Sequence, residues 1–181
     1  MANLSYGNSG SSYYDLARQG RLFSAFASVT APVIYSTAAG TGGPLLWNST
    51  NDRNAVLIGV TCAITTVTTV AAALGITGNK GQTSAPTSTA AVTTSGNCFV
   101  GGPAPKCNVY ATGTVTTAGN FFLPLAQLST GALTIDNFED GFIPLDGLIV
   151  VPPNAWAAVS ASATASTTVA KIGLIWAEVP I

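Results

Sequence analysis

Residues 141–181 read GFIPLDGLIVVPPNAWAAVSASATASTTVAKIGLIWAEVPI, and this stretch carries the clearest structural pattern in the chain. Its first run, residues 141–151, is apolar and ends at two prolines and an asparagine, which turn the chain. Over residues 155–166 every second residue is Ala or Val and most of the others are Ser or Thr, which predicts a strand with an Ala/Val face inward and a hydroxyl face outward. Residues 169–179 alternate two apolar faces, which indicates a central strand of a sandwich or a strand at a subunit contact.

The residues before this stretch continue the alternation of strands and turns. Polar clusters such as NSTNDRN (48–54) and GNKGQ (78–82) are typical of turns. The Thr/Ala/Ser-rich residues 83–97 fit either a strand or a surface loop. Further strands are predicted at 55–66, 67–77, 108–117, 121–128 and 132–138. Because no helix is indicated after residue 30, we predict an all-β, antiparallel sandwich of about eight to ten strands.

One segment could instead cross a membrane. Residues 55–76 include no charge, and their length suits a bilayer-spanning helix. However, the segment is rich in Thr, and no cluster of basic residues flanks it to set an orientation. We therefore favour two buried strands and expect no membrane partner.

Residues 1–30 differ from the rest in combining aromatic residues with arginines. Residues 15–27 could form a short helix, which Gly20 would weaken. Aromatic residues and Arg are enriched at interface cores, so we predict an N-terminal arm (1–30) that contacts a partner, followed by the sandwich (31–181). A disordered tail and an arm whose phenylalanines fill the sandwich remain alternatives. The candidate contact residues are Tyr13, Tyr14, Arg18, Arg21, Phe23 and Phe26.

The charge content excludes several functions. Charged residues make up 7% of the 181 residues, the net charge is -1, and there is no histidine. Binding to nucleic acid requires many Lys and Arg, and catalysis by histidine is impossible within one chain. The first residues lack the basic and apolar regions of a secretory signal, so we expect none. A surface so poor in charge indicates an assembly subunit, with a Thr/Ser-rich secreted domain as the alternative.

Few residues suggest chemistry. Asp136, Glu139 and Asp140 lie close together, but their spacing does not fit a calcium loop and favours a solvated turn. A glycosidase would need two carboxylates across a cleft, and these residues with Asp146 are weak candidates. We therefore predict no cofactor, no metal site and no enzymatic activity.

The cysteines and tryptophans allow two interpretations each. Cys98 and Cys107 flank a loop that a disulfide could close, but three cysteines in total favour free thiols. The tryptophans could form a sugar-binding platform. Trp176 alternates with apolar residues and is expected in the core, whereas Trp156 shares its face with serines and is the better candidate for an exposed position.

The run quoted at the outset resembles the closing strands of small jelly-roll proteins of tailed bacteriophages. There, an apolar strand ends at Pro-Pro or Pro-Gly, an Ala/Ser/Thr strand follows, and the chain closes on an Ile-Trp-x-Glu strand. The stretch GGPLLWNSTNDRNAVLIGV is similar to their opening hairpin, so the resemblance covers roughly residues 44–181. It implies a jelly-roll-like sandwich and a capsid cement or decoration protein in the virion.

The same resemblance implies the partners. These would be the major capsid protein and further copies of the chain, often in a homotrimer. Members of this group also form the heads of fibres. A receptor- or glycan-binding head, using Trp156, Tyr110 or the loop at residues 79–106, is therefore the alternative function.

Overall fold

The computed structural model describes residues 9–30, 43–66, 72–92, 94–128, 141–162 and 169–181. These residues form one helix, α1 (Ser9–Arg18), and two antiparallel β-sheets that pack face to face. The strands are β1 (Leu22–Thr30), β2 (Leu45–Trp47), β3 (Arg53–Thr66), β4 (Ala72–Lys80), β5 (Thr87–Ala91), β6 (Thr94–Asn97), β7 (Asn108–Thr114), β8 (Asn120–Leu128), β9 (Phe142–Val151), β10 (Ala155–Ala161) and β11 (Val169–Pro180).

The strand pairing is nested from the two ends of the chain inward. β1 pairs with β11, β2 with β10, β3 with β9, and β4 with β8. A long hairpin rolled up in this way gives the two Greek keys of a jelly roll. The five-stranded sheet has the order β6-β1-β11-β3-β9, and the six-stranded sheet has the order β5-β7-β2-β10-β4-β8. The predicted antiparallel sandwich is confirmed.

The extra strands beyond the nested eight form an insertion between β4 and β8. β5 and β7 extend the six-stranded sheet, and β6 extends the five-stranded sheet beside β1. Residues 83–97, which the sequence left open, thus supply two short strands. The described residues therefore form more strands than the eight to ten expected.

The core lies between the sheets and centres on β11. Ile172, Leu174 and Trp176 point inward and are completely buried, while β1 and β3 pair with β11 on its two sides. The ring of Phe23 on β1 stacks on Trp176 with their centroids 5.7 Å apart. The two apolar faces of residues 169–179 therefore do mark a central strand.

The N-terminal region corrects two predictions. The helix is not at residues 15–27 but ends at Arg18. Gly20, with φ of 67°, caps it by donating its N–H to the Ala17 carbonyl, while the Arg21 N–H reaches the Leu16 carbonyl. β1 then begins at Leu22, so the predicted arm boundary at residue 30 is wrong. The side chains of Phe23, Ala25 and Ala27 are buried in the core, which makes this segment part of the sandwich.

β10 also differs from its prediction. Every side chain from Ala155 to Ala161 is buried, including Trp156 and Ser160 on the face expected to carry exposed hydroxyls. Leu45 on β2 and Val115, which follows β7, cover Trp156 on that side. A period of two showed the strand correctly but not that both of its faces are covered.

The segment that could have crossed a membrane is divided between β3 and β4, with residues 67–71 outside the described part. Within the described residues, no helix has the length and apolar character needed to span a bilayer. The predicted strand at 132–138 also lies outside the described residues.

Candidate interaction surface

Among the strand residues whose exposure the structure describes, those of the edge strand β9 include the most prominent exposed apolar side chains. Leu145, Ile149 and Val151 point into the core. Three other side chains of β9 point outward, and we call them the β9 surface: Phe142 (40% exposed), Leu148 (73%) and Val150 (50%). Large apolar groups along an edge strand make this a candidate for a protein-interaction site.

A bulge in β9 limits pairing of its edge with another strand. Asp146 and Gly147 both have positive φ, of 47° and 80°, and the register against β3 shifts at this point, between Leu57 and Gly59. Such a bulge twists an edge away from strand-to-strand pairing. The β9 surface is therefore suited to contacts through side chains rather than to extension of the sheet.

The helix α1 packs beside this surface, on the outer face of the five-stranded sheet. Tyr13, Leu16 and Ala17 have the spacing of one helical face. They cover the buried side chains Leu22 and Ile58, together with Ala177 on β11. The helix therefore shields an apolar part of the sheet that would otherwise be exposed.

A hydrogen bond connects α1 to the β9 bulge. The Tyr13 hydroxyl donates to Oδ1 of Asp146. Burial, the hydrogen bond and the negative charge of Asp146 together raise the pKa of Tyr13 from 10.0 to about 12. The next residue, Tyr14, is 67% exposed and adds an aromatic ring to the solvent side of the helix.

The six predicted contact residues are placed differently from one another. Tyr14 and Arg18 are exposed on α1 and are free to contact a partner, and Tyr13 is half-buried against the sheet. Arg21 donates from Nε to the Glu178 carbonyl and serves the fold. Their common role as an interface is therefore not supported for the whole set.

The two phenylalanines of that set lie on opposite faces of β1. Phe23 is in the core, so its prediction as a partner contact is wrong. Phe26 is half-buried and lines a shallow groove of about 390 Å³ on the outer face, beside Gly173. Of the pair, Phe26 alone offers part of its ring to solvent.

Sequence reasoning missed Phe142, Leu148 and Val150. A signal was present, because residues 141–151 are apolar at nearly every position, including those that a half-buried strand would make polar. Such a run predicts either burial on both faces or an exposed apolar surface. In the structure β9 is an edge strand with an exposed apolar surface, which is the second of these two possibilities.

The charges that the chain does have are largely used at one end of the sandwich. Glu178 is buried and accepts hydrogen bonds from the backbone N–H groups of Lys106 and Cys107, at 2.8 and 2.9 Å. Arg53 lies 3.5 Å from Glu178 and 2.7 Å from Asp52. The hydrogen bond from Arg53 holds the pKa of Asp52 at about 2, below its usual value of 3.8.

This ionic cluster joins β11 to β3 and to the start of β7. Away from this cluster, the strands of the five-stranded sheet place few charged groups on the β9 surface and on the outer face of that sheet. Asp146 and Lys171 are the charged side chains that the described strands place there. That face is therefore nearly neutral and partly apolar.

The cysteines are free. Cys62 and Cys107 are buried, and Cys98 is exposed. Burial raises the pKa of the Cys62 thiol to about 11, and burial followed by the nearby Glu178 charge raises the pKa of Cys107 well above its usual value. Neither buried thiol is a reactive nucleophile.

The tryptophans do not form the sugar-binding platform that the sequence allowed, and Trp156 is not the exposed residue it was a candidate to be. Trp156 is 1% exposed, and Trp47 and Tyr110 pack against its cluster while half-buried. Trp176 is in the core, as expected. The exposed apolar groups of the insertion are instead Phe99 and Val100, which follow β6.

Within the described residues, no three Cys, Asp or Glu side chains are grouped closely enough to hold a metal ion. Asp136, Glu139 and Asp140 lie outside those residues. A comparison of the chain with protein-family models, with curated proteins and with solved structures finds no match.

Proposed function

We propose that this chain is a structural virion protein, a cement or decoration subunit that binds the outside of a bacteriophage capsid and stabilises it through contacts between subunits. The observation that carries the proposal is the β9 surface, three outward apolar side chains on an edge strand beside a helix that packs on the same sheet. A subunit that remains attached to a shell needs such a surface and needs no chemistry.

The sparse charge supports the same function. Most exposed side chains of the described residues are Thr, Ser, Ala or apolar residues, and four of the chain's few charged residues are joined in the cluster around buried Glu178. Durable interfaces have charge-depleted, apolar cores and bury roughly 1,600 Å² or more. A lone monomer in solution would gain nothing from leaving Leu148 exposed.

The alternative, a receptor- or glycan-binding head, is less well supported. A jelly roll serves both capsid proteins and lectins, so the fold does not decide between them. Glycan sites commonly use an exposed aromatic ring, and Trp156 is buried. Phe99, beside Val100, would have to serve as the exposed aromatic ring of a glycan site.

Binding to capsids tests the proposal. Shells assembled from the major capsid protein of the same virus should bind the purified chain, and Leu148→Asp should weaken this binding by at least tenfold, about 1.4 kcal/mol. The matched control is Val100→Asp, which changes a side chain that is 95% exposed on the insertion. Equal weakening by both variants, or no binding by the unaltered chain, would reject the proposal.

A further inference from the structure

A cleft of about 230 Å³ opens next to β9, between the edges of the two sheets. Val150 and Pro152 line it from one sheet, and Phe122 lines it from the other. Phe122 is 50% exposed although it is one of the largest side chains present. Most of the other residues that line the cleft are apolar, so an occupant would meet mostly apolar groups.

Gly78 lines this cleft at a position that has no room for a side chain. A Cβ atom at this position would lie 2.7 Å from the Trp156 carbonyl oxygen and 3.3 Å from the Phe122 ring. The first distance is shorter than any real contact of this kind. A side chain here would therefore clash with the backbone of β10.

One positively charged side chain, that of Lys80, is among the residues that line the cleft. Lys80 is exposed at the end of β4, and no carboxylate of the described residues lies within 4 Å of its ammonium group. The cleft is therefore apolar with one positive charge. The chemistry that complements it is an aromatic or aliphatic side chain next to a carboxylate.

The helix α1 presents that combination on its solvent side. Tyr14 is 67% exposed and its neighbour Asp15 is also exposed. Asp15 has no ion-pair partner among the described residues. We propose that the cleft receives α1 of a second copy of the chain, with Tyr14 of that copy against Phe122 and its Asp15 paired with Lys80.

The positions of the two surfaces suit an assembly of several copies. On one subunit, α1 contacts β9 at Asp146, while the cleft is lined by Val150 of the same strand. A contact between two different surfaces is heterologous, and it closes into a ring when the rotation between subunits allows. The inference rests on the proposed function, whose contacts between subunits would include contacts between copies of this chain, and it specifies the two surfaces that form such a contact.

Charge reversal tests this contact in the full-length chain. We expect Lys80→Glu and Asp15→Lys each to raise the dissociation constant of the oligomer about tenfold at low ionic strength, where charges are least screened. The double variant restores the opposite charges and should recover most of the loss. Lys171→Glu is the control, because it reverses an exposed lysine on β11 outside the cleft. Light scattering across a concentration series gives the constants.

Three outcomes would overturn the inference: a monomeric unaltered chain at micromolar concentration, unchanged constants in both single variants, or a double variant no better than the singles. Tyr14→Ser tests the same contact by removing the aromatic ring, and it should also raise the dissociation constant of the oligomer. Because Tyr14 is exposed, this replacement should not affect the fold. If the oligomer behaves as expected but does not bind capsids, the proposed function fails and the contact between copies stands. Loss of binding to capsids with unchanged oligomers would show that the capsid, and not a second copy, occupies the cleft.

Discussion

The Tyr13 hydroxyl donates a hydrogen bond to the Asp146 carboxylate, and this bond joins α1 to the edge strand β9 across 133 positions of the chain. It connects the N-terminal helix to the bulge that separates the two halves of β9. The helix and the β9 surface therefore form one continuous region of the molecule.

Removing this bond should loosen the helix without unfolding the sandwich. In Tyr13→Phe the ring still packs on the sheet while the hydrogen bond is lost, a change of about 0.5–1.5 kcal/mol. Hydrogen exchange of the α1 amides should accelerate, and exchange in β11 should not. Tyr14→Phe is the control, and faster exchange in that variant too would show that the bond to Asp146 is not the cause.

The same pair predicts how stability depends on pH. The pKa of Tyr13 is about 12 in the folded protein against 10.0 for an unperturbed tyrosine. Since the folded state holds the proton more tightly, the contribution is complete below pH 10 and is lost as the pH rises towards 12. The stability of the unaltered chain should fall relative to Tyr13→Phe over this interval. Parallel curves for the two proteins would contradict the prediction.

Two truncations should behave differently. Deleting residues 2–19 removes α1 but leaves β1 complete, so the sandwich should remain folded while binding to capsids falls at least tenfold, about 1.4 kcal/mol. Deleting residues 2–28 also removes Phe23 from its stack on Trp176, and losing a core Phe side chain alone costs about 3–5 kcal/mol. This shorter chain should fail to fold. Circular dichroism would show which of the two shortened chains is folded, and a capsid-binding assay would measure the loss of binding. Full binding by the folded 2–19 deletion would exclude a role for α1.

Attachment to the capsid should depend weakly on salt. The β9 surface has no charged side chain among its three members, so few ion pairs would be screened. We expect binding to persist at about 1 M salt, where the screening length falls to roughly 3 Å. Dissociation at lower concentrations would indicate that exposed charges such as Arg18 dominate the contact instead.

The strands β7 and β10 could be predicted because their hydrophobic period is two. The segment from Leu22 to Thr30 could not, because its phenylalanines at 23 and 26 also fit the spacing of a helix. Gly20 was interpreted as a weak point within a helix, whereas it is the left-handed cap that ends one. This segment is a strand because it pairs with β11, which is far away in the sequence.

Predicting the candidate interaction surface would have required knowledge of the tertiary structure to a still greater degree. The apolar character of β9 is visible in the sequence, but its position at a sheet edge follows from the strand order. Burial of Trp156 follows from the chain around Val115, which covers the outer side of β10. No local pattern indicates the contact between Tyr13 and Asp146.

A cryo-electron-microscopy map of the native phage particle tests the central claim most directly. The account predicts jelly-roll density on the outer surface of the capsid, with Leu148 and α1 directed at the shell or at a neighbouring copy. Density that places this face towards solvent, or a particle without the chain, would contradict it.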